Sequence, residues 1–417
     1  MASVEFSLPL QVAHHATVQF VKENPMYRRR LILISAILLA LLVGMFHVSS
    51  AARAASAAPH ITCKQWNYVS SPNPSIYGNY LSGVAAISAS DIWAVGSQFN
   101  NIDNSLTLAE HYDGTQWSVV SVPAPAGAVE EDLLNIVAVS TSDVWAVGYY
   151  FDNSYTSHTL IEQWNGSAWS IVPSPDQGSS GSSLFGVAAI SATDIWVVGT
   201  YQDSSSNTYT LTEQWNGTAW NIVASPNGSG QSNTLIGVTA ISSSAVWAVG
   251  YESTSTLVEK WDGTAWKIVT SASRTGSSNY LTGVVAVSSK ALWAAGYSIN
   301  STTAQYSTLM EKWNGTAWKI VASPTPSSTS NLNISGIAAL SSSSVWVVGW
   351  DQNTQGKTKP IIEHWNGSQW SLVPGAKVGS FQYELVGITR VPGTSTLWSV
   401  GLLFGNTGYQ TITEYYC

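Results

Sequence analysis

The chain is 417 residues long, 45% hydrophobic but only 10% charged, and carries 20 tryptophans and 33 glycines. Its formal net charge is −8; past Ala57 there are 11 Lys and Arg against 22 Asp and Glu, a net of −11 (11 − 22). So acidic a body repels phosphate backbones, which excludes nucleic-acid binding, and short apolar runs alternating with Gly/Ser/Thr-rich stretches exclude a long helical bundle.

The first 58 residues differ in kind from the rest. Arg28, Arg29 and Arg30 precede an apolar run from Leu31 to Val48, and Ala/Ser-rich sequence follows. The arginines hold that end in the cytoplasm, and Ala52-Arg53-Ala54 or Ala55-Ser56-Ala57 offers the small-residue pattern a signal peptidase needs. The run is also within the length that spans a bilayer. Residues 1–58 are therefore expected to be a signal peptide or an N-terminal membrane anchor, with the remainder outside the cytoplasm, secreted or anchored.

From residue 60 onward the sequence repeats. Trp-Ala-Val-Gly and its variants place a tryptophan at Trp93, Trp145, Trp196, Trp247, Trp293, Trp346 and Trp398, with gaps of 52, 51, 51, 46, 53 and 52. A second aromatic recurs at Tyr112, Trp164, Trp215, Trp261, Trp313, Trp365 and Tyr415, and a third at Trp117, Trp169, Trp220, Trp266, Trp318 and Trp370. The seventh repeat lacks the third because the sequence stops at Cys417; Trp66-Asn67-Tyr68-Val69, followed by Ser71-Pro72-Asn73, matches Trp220-Asn221-Ile222-Val223 followed by Ser225-Pro226-Asn227. An N-terminal strand thus completes the last repeat. The expectation is an all-β, seven-bladed β-propeller of four-stranded antiparallel blades over residues 60–417, whose ring closure leaves no free edge around the circle. Cys63 and Cys417 flank the closing strands, and outside the cytoplasm such a pair stays oxidised, so a disulfide between them is expected.

Blade 4 sets the expected strands: Leu235 to Ser242, Ala245 to Gly250, Leu257 to Trp261 and Ala265 to Thr270. Asn-Gly or Asp-Gly at Asp113, Asn165, Asn216, Asp262, Asn314 and Asn366 supplies tight turns; the exchange of Asn for Asp favours turn chemistry over glycosylation at the four sequons. A glutamate before the second aromatic, Glu110, Glu162, Glu213, Glu259, Glu311, Glu363 and Glu414, is expected to accept hydrogen bonds from backbone amides or indole N–H groups.

The longer Ser/Asn/Thr-rich loops fall on one face, where recognition is usually placed. Those after the Trp-Ala-Val-Gly strand carry Phe99, Tyr149, Tyr150, Tyr201, Tyr251, Tyr297, Trp350 and Phe404. Aromatic faces beside Asn, Ser and Asp suit stacking on sugars or anchoring of a protein; packing between blades is the alternative, weighed evenly for Tyr149, Tyr201, Tyr251 and Tyr297, whereas Trp350 and Phe404 are expected at the surface.

Val258-Glu259-Lys260-Trp261-Asp262-Gly263-Thr264-Ala265-Trp266 resembles the later half of a kelch-type repeat, the family of galactose-oxidase-like propellers, though a single glycine such as Gly250 stands where that family has a pair. Trp-Ala-Val-Gly followed by Gly-x-x-Trp is also similar to the Asp-box, sialidase-like repeats, including those of photosystem assembly factors. Both resemblances imply a propeller. Sialidase chemistry needs three arginines and only Arg274 and Arg390 follow the leader; a copper site needs clustered histidines, and His60, His111, His158 and His364 are scattered. Asn100-Asn101-Ile102-Asp103-Asn104 lacks the spacing of a calcium loop, so no metal or cofactor is expected. The functional expectation is a monomeric, non-enzymatic binding or scaffold propeller recognising glycan or protein through its long-loop face. The alternative is a glycan-active hydrolase or oxidase, drawing on acids such as Asp103, Asp152, Asp203, Glu252 and Asp351.

Overall fold

In blade 4 the observed strands are Asn233–Ser242, Ala245–Glu252, Ser255–Trp261 and Trp266–Ile268, the first two extending past the Trp-Ala-Val-Gly glycine. The reason is a β-bulge. The inner strand shifts register between Leu235 and Gly237, opposite Gly250, and the ladder then resumes for two more residues. A Cβ on Gly250 would overlap the Thr234 carbonyl oxygen, and the same overlap would arise at Gly96, Gly148, Gly199, Gly296, Gly349 and Gly401. The recurring glycine is thus fixed by close backbone approach rather than by a turn.

The protein, seen as a computed structural model, is described over residues 64–100, 104–326, 329–405 and 408–417. The leader, His60, Cys63 and 101–103 lie outside the described residues. Seven four-stranded sheets follow one another at 79–120, 130–171, 181–222, 233–268, 277–321, 329–372 and 382–416, the last joined by 66–69. Six run inner to outer in chain order. In the seventh, Trp66–Val69 pairs antiparallel with Gly408–Tyr416, which continues through Leu397–Gly405 to Gln382–Arg390. Ring closure is as the sequence implies, with one correction. Trp66 faces Tyr416, not Tyr415, and it is Tyr416 that packs on Trp66 and Trp346. Among the described residues no helix is long and apolar enough to cross a membrane.

Tryptophans hold the seams. Trp145 of blade 2 meets Trp215 of blade 3 at 5.0 Å and the edge of Trp220 at 5.5 Å. Equivalent triads recur at every seam, from Trp93 on Trp164 and Trp169 round to Trp398 on Tyr112 and Trp117. Tilted and edge-on pairs of this kind contribute about 0.5–1.5 kcal/mol each beyond burial. The turns agree too: Gly114, Gly166, Gly217, Gly263, Gly315 and Gly367 have φ between 93° and 98°. Asn216 Oδ1 accepts from the Thr218 and Ala219 amides at 2.9 and 3.0 Å, and Asp262 Oδ1 does the same work in blade 4. The turn itself uses only the shared oxygen, which is why Asn and Asp interchange there; Asp262 Oδ2 additionally pairs with Lys267.

Candidate functional site

The seven repeated glutamates are fully buried; Glu311 and Glu414 take the expected backbone amides, from Ala272 at 3.2 Å and Ala376 at 3.1 Å, but serines are the commoner donors. Four of the glutamates are reached by a serine from the blade before. Ser174 Oγ donates to Glu213 Oε2 at 2.9 Å, Ser225 Oγ to Glu259 at 2.6 Å, Ser271 Oγ to Glu311 at 2.9 Å, and Ser323 Oγ to Glu363. Burial pushes these carboxyls up, to about 8 for Glu213 and Glu259 and about 7 for Glu311 and Glu363. The outer-strand indoles Trp117, Trp169, Trp220, Trp266, Trp318 and Trp370 have no partner at Nε1, so they do not supply the donors.

An exposed apolar residue stands cross-strand from every one of these acids: Tyr68, Val119, Ile171, Ile222, Ile268, Ile320 and Leu372, between 36% and 49% exposed. Directly opposed side chains touch. This rim of apolar groups screens neutral carboxyls from water and is accounted for by that role.

Three seams depart from the pattern. Between blades 7 and 1 the serine is kept as Ser71, but its Oγ lies 2.6 Å from Thr411 Oγ1 and both oxygens of Glu110 are buried without a hydrogen-bond partner. At the seam of blades 6 and 7 the serine position holds Gly375, and Glu414 takes the Ala376 amide at 3.1 Å. Between blades 1 and 2 the position holds Val122, and both oxygens of Glu162 are buried without a partner. Burial and the nearby charge of Glu131 raise Glu162 to about 9, and burial raises Glu131 to about 7. Beside them, buried Asp132 accepts from Tyr80 Oη at 2.5 Å, from Ser105 Oγ at 3.4 Å and from Ser97 Oγ. These acids are closed to solvent, so they are positioned to hold the seam and not to meet a ligand.

The aromatics named from sequence are less accessible than a stacking surface needs. Tyr251 and Tyr297 are 4% and 7% exposed, and Phe99 is 8% exposed. Tyr149, Tyr150, Tyr201, Trp350 and Phe404 are half-buried, a correction for Trp350 and Phe404, which were expected at the surface. The bulge is the cause: it carries the strand past the glycine, so these side chains sit inside the sheets. Tyr280, Tyr297 and Tyr306 form a stacked row in blade 5, and Tyr251 of blade 4 meets Tyr280 edge-on. Tyr201 stacks on Tyr209 at 5.2 Å and Tyr150 on His158 at 5.0 Å.

Other residues hold the surface of that face. Ile76 and Tyr77, before blade 1, are 80% and 48% exposed; Phe381, before blade 7, is 43% exposed. Tyr155 is 69% exposed at the tip of the blade 2 hairpin, with φ of 56°. Equivalent hairpins place Ser206, Ser253 and Ala304 in the same left-handed conformation. A tyrosine tolerates it less readily than a small residue. Aligning the hairpins would have singled out Tyr155, because its counterparts are small. Asp152 and Asp176, with side chains 37% and 40% exposed, flank His158 beneath it. Among the described residues no group of three His, Cys, Asp or Glu is arranged to hold a metal ion.

No protein-family model matches the sequence, and no curated protein matches it. Solved structures do. The chain superposes on "YCF48 bound to D1 peptide" with a TM-score of 0.52 at 13% identity, over 88% of this chain and 100% of that one. It is similar to "YCF48 from Cyanidioschyzon merolae" at TM-score 0.50 and 15% identity, covering 84% and 98%. A polysaccharide lyase, "PL25-Ulvanlyase bound to -[GlcA(1-4)Rha3S]-", gives 0.51 at 9% identity, covering 84% and 97%. The likeness is one of fold. It supports a seven-bladed propeller without selecting the kelch-type subclass.

Proposed function

We propose that this is a non-enzymatic, extracytoplasmic binding propeller that grips a polypeptide partner on its long-loop face, with Tyr155 as an anchor. The observation that carries the reading is Tyr155 itself: a large aromatic, 69% exposed, in a backbone conformation that its sister loops give to small residues. Exposed tyrosines contribute disproportionately to protein recognition, and Ile76, Tyr77 and Phe381 add apolar surface on the same face. The propeller described as bound to a D1 peptide shares the fold, which fits a polypeptide ligand. A glycan is the second reading, favoured by the ulvan lyase likeness but served less well by tyrosines that are buried or half-buried.

The test is affinity capture of proteins from the surface or culture fluid by residues 61–417, run beside a glycan array. A partner bound saturably, and weakened about tenfold or more by Tyr155→Ala as befits a hot-spot tyrosine, is the expected result. Glycan binding indifferent to Tyr155 would replace the polypeptide reading with the second one.

Export and closure by disulfide belong to the same proposal. Lys64 donates its N–H to the Cys417 carbonyl, which brings the residue after Cys63 to the C-terminal strand. Intact mass of the exported protein is expected to show a chain beginning near Ala58 and two hydrogens lighter than its reduced form. A retained leader would mark the anchored form, and a mass unchanged by reduction would remove the disulfide.

A further inference from the structure

Blade 2 carries a histidine with a carboxylate at each ring nitrogen. His158 Nδ1 lies 2.7 Å from Asp176 Oδ2, and Nε2 lies 3.4 Å from Asp152 Oδ2. A neutral imidazole has one N–H, so one of these approaches would set lone pair against lone pair; the imidazolium donates to both.

The two aspartates belong to different loops of the long-loop face. Asp152 builds the hairpin that presents Tyr155: its Oδ1 accepts the amides of Ser154 at 2.8 Å and Thr156 at 3.0 Å. Asp176 lies on the connection to blade 3, and its Oδ1 accepts the Thr159 amide at 2.9 Å. Each carboxylate thus organises backbone with one oxygen and meets His158 with the other. The remaining titratable group facing the imidazole is Tyr150, stacked on it with a 23° interplanar angle.

Blade 3 shows the same construction without a basic group. Tyr209 stands in the place of His158 and donates to Asp203 Oδ2 at 3.1 Å, helped by Asn207 at 3.0 Å. Asn227 replaces Asp176 and accepts the Thr210 amide at 2.9 Å. Blade 2 has therefore exchanged a neutral Tyr–Asn arrangement for an ionisable His–Asp one, at the hairpin that carries the exposed tyrosine.

We propose that His158 is a proton switch on the binding face: protonated, it clamps the Tyr155 hairpin to the blade 2–3 connection, and deprotonated it lets the hairpin go. The inference rests on the reading of Tyr155 as a ligand contact for its functional meaning, though not for its test. Partial burial pulls the imidazole down, but the hydrogen bonds and charges of Asp176 and Asp152 outweigh this and leave it raised above its ordinary value. The clamp is therefore complete below the ordinary histidine range and is lost as the pH rises through the raised value.

Hydrogen–deuterium exchange of the full propeller at pH 5.5 and 8, corrected for intrinsic exchange rates, tests the switch with no ligand present. The amides of Tyr155, Thr156 and Thr159 are expected to be more protected at the lower pH by up to about fivefold, the range of a partly exposed ion pair. The blade 3 hairpin at 203–207 should be indifferent to pH and report that the fold is intact. In His158→Gln, and in His158→Tyr combined with Asp176→Asn, which gives blade 2 the chemistry of blade 3, the pH difference should disappear. Equal protection at both pH values in the wild type, or an unchanged difference in either variant, overturns the switch. Either outcome is independent of whether Tyr155→Ala loses a partner.

Discussion

The melting temperature of the propeller is expected to be highest near pH 5 and to fall as the pH rises from there to between about 7 and 9, where the folded carboxyls themselves ionise. The reason is the ring of seven glutamates, each fully buried and none in an ion pair with Lys, Arg or His among the described residues. A buried carboxyl without a cation is held neutral. Burial raises all seven: Glu311 and Glu363 to about 7, Glu110, Glu213, Glu259 and Glu414 to about 8, and Glu162 to about 9. Above the ordinary carboxylate value the unfolded chain sheds these protons while the folded one keeps them, so rising pH favours unfolding until the folded groups also ionise. For a group shifted from 4.5 to about 8, the loss by pH 7 is on the order of 3 kcal/mol.

Glu162, with Val122 in place of the serine donor, is the acid for which a neutral replacement gains most. Glu162→Gln is expected to melt higher than the wild type at pH 8, with a smaller gain or none at pH 4.5. A wild-type melting temperature that stays level or climbs between pH 5 and 8 would mean that the carboxyls are ionised in the fold, and the account of the ring would be wrong.

Trp66→Ala is expected to cost more than the same change at Trp266, although both tryptophans are 4% exposed and occupy equivalent places. Removing a large buried aromatic costs about 3–5 kcal/mol through transfer and cavity terms, and both variants bear that. Trp66 also sits on the strand that closes the circle, edge-on to Trp346 at 6.0 Å and tilted on Tyr416 at 5.6 Å. Losing it loosens the joint that every other seam depends on. Denaturant melts of the two variants, with proteolysis monitoring release of the N-terminal strand, measure the difference. Equal losses would show that closure adds nothing to local packing.

Much of this architecture is legible in the sequence because a repeat states its pattern seven times. The blades, the closing role of Trp66, the tight turns and the face of the long loops follow from spacing alone. The misplaced aromatic of blade 7 was also within reach: the glutamate precedes its aromatic by two residues, as Glu213 precedes Trp215, which selects Tyr416 over Tyr415. Other features are hidden because they are not local. Glu213 finds its donor on Ser174 of the blade before, 39 residues away, and no strand pattern shows which neighbour a side chain faces. The bulge opposite Gly250 is silent in sequence as well, yet it decides that Tyr251 is buried. The surface that remains, Tyr155 above all, comes from residues that break the repeat, and a reading built on what recurs passes over them.

The serine-to-glutamate hand-off has a consequence for how the ring can be cut and rejoined. Blades 3, 4 and 5 each receive a serine from the preceding blade and offer one to the next, so their seams are chemically interchangeable units. The seams at Val122, Gly375 and Ser71 are not, since Glu162 and Glu110 have no donor and Glu414 takes a backbone amide. The circle is therefore a run of four uniform couplings closed by three individual ones, and those three fix which blade may stand beside which.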